Sequence, residues 1–356
     1  MLVMTDGAAD RSPRRPSRAG TGHRRSTGRD VAELAGVSQA TVSLVFSGKT
    51  SGRVSAEVEE RVRHAAAQLG YRPHASASTL RAGRARTVGL LVPDITNPFL
   101  GHVLRGAQRA GREHGVTVAL IEPGSERNWQ LTAMNALNAA AIDGMMLFAI
   151  EPPPSAAPTD LGPTVLVEAV AEGFPSVLLD VRQGTAAAVG YLLELGHRRI
   201  AHLGADLPPT TFKARASQWR RLLRRAGVDA TEAPEVLAAF DLHAARGAAH
   251  QLLSMTPRPT ALFCDDDLLA AGALMAAHDL RIPVPDQLSI MGFAGTLLSE
   301  AATPQLSTVL APAEELGALG LRTLLQAMDG QATSPEPLPM TLVPRASTAP
   351  PRPPDR

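Results

Sequence analysis

The 356-residue chain has a single cysteine, Cys264, so no internal disulfide framework can form; this composition fits a reducing, cytoplasmic setting. Aromatic residues make up only 3% of it, which leaves Ala and Leu to do most of the packing. Long apolar runs are missing too. The most apolar stretch, Leu131–Ile150, is broken by Asn135, Asn138 and Asp143, so no membrane-spanning helix is expected. The opening MLVMTDGAAD lacks the basic and then apolar regions of a signal peptide. None of the ten histidines belongs to an H-E-x-x-H pattern, and neither G-x-S-x-G nor a convincing G-x-G-x-x-G occurs. Gly48-Lys49-Thr50 could end a phosphate-binding loop, but Ser43 stands where that loop needs its first glycine. Asp265-Asp266-Asp267 has no second acidic or histidine cluster beside it at ligand spacing. The expectation is a protein without catalytic residues, metal or cofactor, and its chemistry is that of binding.

Charge, by contrast, is abundant and uneven. Residues 1–86 hold 15 Lys and Arg against 7 Asp and Glu, whereas the remainder holds 20 against 27. A basic head on an acidic body suits a polyanionic partner. Residues 1–26 are rich in Arg, Pro, Ser and Gly with almost nothing to bury, and read as a disordered basic tail. From Thr27 the pattern changes to short helices: Arg29–Ala35 ended by Gly36, Gln39–Phe46 capped by Ser38, and a third opened by Val54-Ser55. In that third helix Val58, Val62, Ala65 and Leu69 recur on one face. Two short helices joined by the tight Gly36-Val37-Ser38 turn, with small apolar residues between them, form a helix-turn-helix that offers the second helix's N-terminal end to a DNA major groove. Residues 73–86 carry too little apolar content to pack alone and read as a linker, or a helix that forms on a partner.

After Thr87 continuous apolar strands alternate with helices. Strands are expected at 88–92, 116–121, 144–148, 176–179, 199–203, 261–264 and 288–293. Helices are expected at 99–114, 128–141, 184–195, 213–226, 242–255, 268–278 and 313–328, with Asp267 as the cap of the sixth. The alternation implies two parallel sheets covered on both faces, with a cleft at the carboxyl ends of their strands. His197 and His202, at the ends of one strand, read as structural.

Several stretches resemble the lactose/galactose repressor family: Thr27–Ser43, Arg53-Val-Ser55, Leu69-Gly-Tyr-Arg-Pro73, Val92-Pro-Asp-Ile-Thr-Asn-Pro-Phe99, Gly196-His-Arg-Arg-Ile-Ala-His-Leu203, Pro259-Thr-Ala-Leu-Phe-Cys264 and Arg345-Ala-Ser-Thr348. They span residues 27–348 and occur in the family's order. The resemblance implies an N-terminal all-α helix-turn-helix domain (27–72), a hinge helix (73–86), and an α/β periplasmic-binding-protein-like sensor of two parallel-sheet subdomains (87–348), with residues 349–356 a disordered tail. It further implies a homodimeric repressor of palindromic double-stranded operator DNA, controlled by a small-molecule effector.

Carried over by position, Gln39, Ala40 and Leu44 are the implied base readers, with Thr27, Ser38, Thr41, Ser43 and Arg53 on the DNA backbone. Leu44 departs from the Arg common there and can offer only an apolar contact, for instance to a thymine methyl. Ala77 and Leu80 match the hinge helix, whose leucine wedges between base pairs; His74 and Ser78 replace the frequent Asn and Arg. In the sensor the implied effector residues are Asn97, Phe99, Arg215, Phe240 and Asp266. Two departures alter that pocket. Asp266 stands where an amide is usual, and Ala294 follows Gly292-Phe293 where a carboxylate commonly grips sugar hydroxyls. An amino sugar, a cationic ligand or a smaller polyol fits these changes better than a simple sugar, and so does a pocket that holds nothing at all. The rival readings, a solute-binding protein for transport and a sugar-handling enzyme, share the sensor fold. The first is opposed by the basic helix-turn-helix and the second by the missing catalytic constellation.

Overall fold

The computed structural model describes residues 28–46, 54–69, 87–122, 142–152, 161–207, 210–228 and 233–352, in two compact units. The first unit contains α1 (Gly28–Ala35), α2 (Gln39–Phe46) and α3 (Ala56–Gln68). Their shared core is small: Val31, Ala32, Ala35, Val42, Val45, Val62, Ala65 and Ala66 are buried. Burying a valine is worth about 1.5–3 kcal/mol, so three such helices also depend on how their ends are satisfied, and three of those ends are closed by hydrogen bonds. Val37 N–H donates to Ala32 O at 3.0 Å and Gly36 N–H to Glu33 O at 3.3 Å, the paired bonds that close a helix through a left-handed residue. Gly36 supplies that residue at φ 65°. Ser38 Oγ then accepts from Thr41 N at 3.1 Å and starts α2, and Ser55 Oγ accepts from Val58 N at the head of α3.

The second unit holds β1 (Thr87–Leu91), α4 (Pro98–Glu113), β2 (Thr117–Ile121), β3 (Met145–Phe148), β4 (Thr164–Val167), β5 (Ser176–Val177), α5 (Val181–Glu194), β6 (Ile200–Ala205), α6 (Thr210–Arg225), β7 (Glu235–Ala238), α7 (Leu242–Leu253), β8 (Ala261–Cys264), α8 (Asp267–Asp279), β9 (Ser289–Met291), α9 (Leu297–Ala301), β10 (Thr308–Leu310), α10 (Ala313–Met328) and β11 (Thr341–Val343). One sheet runs β2-β1-β3-β4-β5 and another β7-β6-β8-β9, every ladder parallel. The antiparallel pair β10–β11 forms a small sheet of its own, tied to the end of β9 by the single bridges Met291–Ser307 and Ala294–Leu310. Four of the five residues of β1, and all of β3, β4, β6 and β8, are buried, as strands covered on both faces must be.

The chain passes between the two layers more than once. It leaves the first sheet after β5 to build the second, then returns through β10 so that α10 packs on α4. That return is a close approach of backbones. A Cβ on Gly106 would lie 1.8 Å from Glu314 O, and one on Gly317 would lie 1.9 Å from Val103 O. Finally, the C-terminal segment rejoins the second layer, where Ile290 N donates to Ser347 O and Ser347 Oγ to Ile290 O.

Several expectations need correction. The ordered chain does not stop at 348: Ala349 O accepts from Ser289 Oγ, its N–H donates back to the same oxygen, and Arg352 pairs with Asp286 at 3.5 Å. Asp266, not Asp267, caps α8, accepting from Leu268 N at 2.8 Å. His202 lies within β6 rather than at its end. Strands β4, β7, β10 and β11 were not anticipated. The expected helix 128–141 lies outside the described residues.

Replacing Gly317 with Ala should push α10 off α4 and cost about 1–3 kcal/mol, the usual range for overpacking. Gly190 in α5, with nothing within 4 Å of its added Cβ, is the control. There Ala should be neutral or stabilising by up to about 1 kcal/mol. Chemical unfolding of the two variants checks the contrast, and equal effects would mean that the helix contact is looser than described.

Candidate ligand cavity and nucleic-acid interface

In the first unit, the start of α2 is turned outward. Ser38, Gln39 and Ala40 are exposed, Thr41, Ser43 and Leu44 are half-buried, and Val42 and Val45 face the core. The helical period therefore separates the proposed DNA-facing side chains from the packing ones. Ser38 and Thr41 hydroxyls also bond each other at 2.9 Å, so their first task is to cap α2. Thr27, Arg53, Ala77 and Leu80 lie outside the described residues.

In the second unit a cavity of about 350 Å³ opens at the carboxyl ends of strands from both sheets. Residues after β1, β3, β4, β6, β7, β8 and β9 all reach it, as parallel α/β layers dictate. All five nominated residues, Asn97, Phe99, Arg215, Phe240 and Asp266, are in its wall. So is Ala294, at the position where a carboxylate was noted as missing.

The local geometry shows what each can do. Asn97 caps α4, its Oδ1 accepting from Phe99 N at 2.9 Å, which leaves its amide as a donor. Arg215 is only 7% exposed, so it is a buried group and not part of a surface ion network. Its guanidinium lies over Phe293 (4.3 Å to the ring centroid) and Phe212 (4.7 Å), and Nη1 donates to Asp265 O at 2.5 Å. Among the described residues its Nε has no hydrogen-bond partner. Ala294 sits at φ 97°, unusual for a residue with a Cβ, held by its N–H to Val309 O and by Ala311 N–H to its own carbonyl.

The sequence reading missed Glu168. It follows β4, is 5% exposed, takes φ 57°, and accepts from Leu179 N at 2.6 Å. The signal was a carboxylate directly after the apolar run Thr164–Val167, had that run been read as a strand. Phe148, Phe212 and Phe293 were missed as well.

The three consecutive aspartates are satisfied in three different ways. Asp265 accepts from His202 Nε2 at 3.0 Å and Ala205 N at 2.9 Å. His202 is fully buried, and its Nδ1 meets Glu235 at 2.8 Å; Arg220 pairs with Glu235 in turn. Burial alone would lower the His202 pKa, but the charge and hydrogen bonds of both carboxylates outweigh it and lift it to about 9. Burial likewise works against ionised Asp265, but His202 and Arg215 hold it below the usual carboxylate range. Asp267 accepts from Thr308 Oγ1 at 2.6 Å and from both N and Oγ1 of Thr296. Burial nonetheless raises it to about 6. Asp266 has only its capping bond, and burial with the neighbouring Asp267 charge pushes it up to about 8. Glu168 is raised by burial to about 7, against the Leu179 N–H and Arg215. With carboxylates on both nitrogens, His202 has none free to serve a substrate. Cys264, buried, has its thiol pKa pushed well up.

A helix-turn-helix unit with an outward-facing second helix, joined in one chain to a two-layer α/β unit with a cleft, defines a ligand-responsive DNA-binding protein. Comparison with known families agrees. Residues 27–74 match the bacterial regulatory proteins of the lacI family and residues 189–348 the periplasmic binding protein-like domain. Among curated relatives, the HTH-type transcriptional regulator DegA of Bacillus subtilis is 32% identical, covering 90% of this chain and 97% of its own. The HTH-type transcriptional repressor CytR of Escherichia coli is 32% identical over 86% of this chain and 91% of its own. The ribose operon repressor of the same organism is 31% identical over 84% and 92%. The lac repressor dimer bound to operator and the anti-inducer ONPF superposes with a TM-score of 0.79 at 26% identity, covering 92% of this chain and all of that one. The chain belongs to the lacI family of transcriptional regulators.

The raised groups have a measurable consequence. His202 titrates at about 9 when folded against 6.5 ordinarily. Its stabilisation is complete below that lower value and is lost as pH rises through the higher one. Glu168 and Asp266, also raised, bind protons more tightly in the folded chain, so their ionisation removes stability as pH climbs from about 4 to about 8. All three act in one direction. The melting temperature of the unliganded protein should fall by several degrees between pH 6.5 and about 9, and His202→Gln should flatten that slope. A melting temperature that rises over this range would overturn the charge assignment.

Proposed function

We propose that the protein is a transcriptional repressor that holds palindromic operator DNA as a homodimer and responds to a small effector in the cavity. The observation that carries the effector reading is convergence. Five residues 169 positions apart in sequence, from Asn97 to Asp266, meet in one cavity fed by strands of both sheets. The ligand class we favour is a small molecule bearing an amino or other cationic group, an amino sugar among them, with Asn97 and Arg215 as donors, Asp266 as acceptor, and Phe99 and Phe240 as apolar plates. Domain limits of 27–72 and 73–86, with a sensor from 87 that runs on through residue 352, go with this reading, as does action in the cytoplasm, where operator DNA lies. We read the chain as having no catalytic role.

On the DNA side, Gln39, Ala40 and Leu44 would read bases, while Ser38, Thr41, Ser43, Thr27 and Arg53 would position the helix on phosphates. Ala77 and Leu80 would supply the wedge at the operator centre. Capture of promoter fragments at low and at moderate salt should yield a palindromic site whose affinity falls steeply with salt. No preference over random duplex would sink the proposal.

Leu44→Arg should move one symmetric position of that site toward guanine, by about 1–3 kcal/mol. An unchanged selected motif would show that the reading helix is placed wrongly on the groove. Leu80→Ala should lessen DNA bending, measured by fragment mobility, with the sensor's thermal unfolding unaltered. Normal bending would remove Leu80 from the wedge.

A further inference from the structure

The cavity is an unusual place for a molecule edged with hydroxyls. Five of the chain's eight phenylalanines line it: Phe99, Phe148, Phe212, Phe240 and Phe293. A neutral hexose needs hydrogen-bond partners around its whole rim, and walls of phenylalanine, Leu179 and Met340 leave few. Polar groups are instead concentrated in a small set. Two buried carboxyls, Glu168 and Asp266, each spend one oxygen on a backbone N–H, from Leu179 and Leu268 respectively. Among the described residues nothing hydrogen-bonds the second oxygen of either.

The charge balance around them is uneven. Among the described residues of the cavity wall Arg215 is the single cation, and it already lies over Phe212 and Phe293 with Nη1 on Asp265 O. From β8 and β6, Asp265 is matched by His202. From α8, Asp267 is held by Thr296 and Thr308, with Arg345 nearby. At the mouth Asp94 is exposed and accepts from Thr96. Among the described residues Arg215 can therefore offset one of Glu168 and Asp266 but not both, so inside this aromatic cage the other carboxyl must keep its proton or meet a cation. Ionised and unpaired, it is costly there.

We propose that the effector is an organic cation, an ammonium or amidinium group on a flat apolar body, with its charged end between Glu168 and Asp266 and its body against the phenylalanines. This rests on the cavity being the effector site and specifies the ligand's chemistry. Glu168 becomes a specificity-determining residue alongside Asp266. In the empty site each carboxyl holds its own proton more tightly, since burial raises both, to about 7 and about 8. A bound cation favours their ionised forms, so binding releases protons and tightens as pH rises through that range.

Calorimetry on the full-length protein tests this with benzamidine, which stays positively charged, and benzamide, its neutral counterpart of nearly the same shape. Glucose and glucosamine complete the set. Benzamidine should bind about tenfold tighter than benzamide or more at about pH 8.5, with the advantage shrinking toward about pH 6. Titrations in buffers of different ionisation enthalpy should show release of about one proton per site. Glu168→Gln and Asp266→Asn should each reduce the preference, whereas Phe240→Leu should weaken both probes alike. Should Glu168→Gln not fold, the wild-type ratio and its pH profile decide. Equal binding of the two probes, a preference untouched by both carboxyl variants, or no binding of benzamidine would overturn the cation proposal. If glucose then binds and is lost in Phe240→Leu, the cavity stands as an effector site for neutral ligands. If none of the four binds, the effector reading of the cavity loses its support with it.

Discussion

The sensor is organised around the need to accommodate three adjacent carboxylates, Asp265, Asp266 and Asp267, where β8 turns into α8. None can be left uncompensated in the interior. Asp265 turns back to His202 in β6, and through it to Glu235 in β7, tying three strands of the second sheet together. Asp267 turns forward to Thr296 and Thr308, which fixes the loop after β9 and the start of β10. Gly292 is part of the same arrangement, since a Cβ there would lie 2.4 Å from Asp267 Oδ1. Asp266 has neither kind of partner. It caps α8 and faces the cavity, so the one carboxylate that the fold does not neutralise is the one placed where a ligand can.

The same turn holds Arg215 in place. Its guanidinium is fixed by the Asp265 carbonyl on one side and by two phenylalanine faces on the other. The aspartate run thus supplies a charge, a carbonyl and a helix cap within three residues. Glu168 comes from the other sheet, after β4. A ligand touching both Glu168 and Asp266 touches both layers at once.

Much of this was legible in the sequence because it follows from local chemistry. Gly36 and Ser38 mark the turn between α1 and α2 through backbone conformation and capping, which depend on a few neighbouring residues. The continuous apolar runs of β1, β3, β6 and β8 announce buried parallel strands for the same reason. What was not legible depends on partners distant in the chain. Strand β7 (Glu235–Ala238) has one buried residue of four and owes its place to β6, and β10 with β11 are three residues each and exist only as a pair. Glu168 carries no motif; its importance comes from Leu179 and Arg215 being folded against it. Asp266 and Asp267 were exchanged in the capping role because either spacing can start a helix, and only the Thr296 and Thr308 hydroxyls, some 30 and 40 residues on, decide between them.

These features give the cavity a physical route to control. The two sheets are linked by chain crossings, the return through β10 bringing α10 back onto α4 against the first sheet, so the layers have limited ways to move relative to one another. A ligand changes such an equilibrium only by binding one arrangement better than another. Under the cation proposal the two carboxyls provide that difference: where both are ionised, an arrangement that brings Glu168 toward Asp266 is opposed by their repulsion, and it is favoured when a cation lies between them. Protonation of either carboxyl relieves the same repulsion. Ligand and proton therefore draw on one interaction, and the energy available for switching is the difference between compensating the carboxylate charge with a proton and compensating it with a ligand.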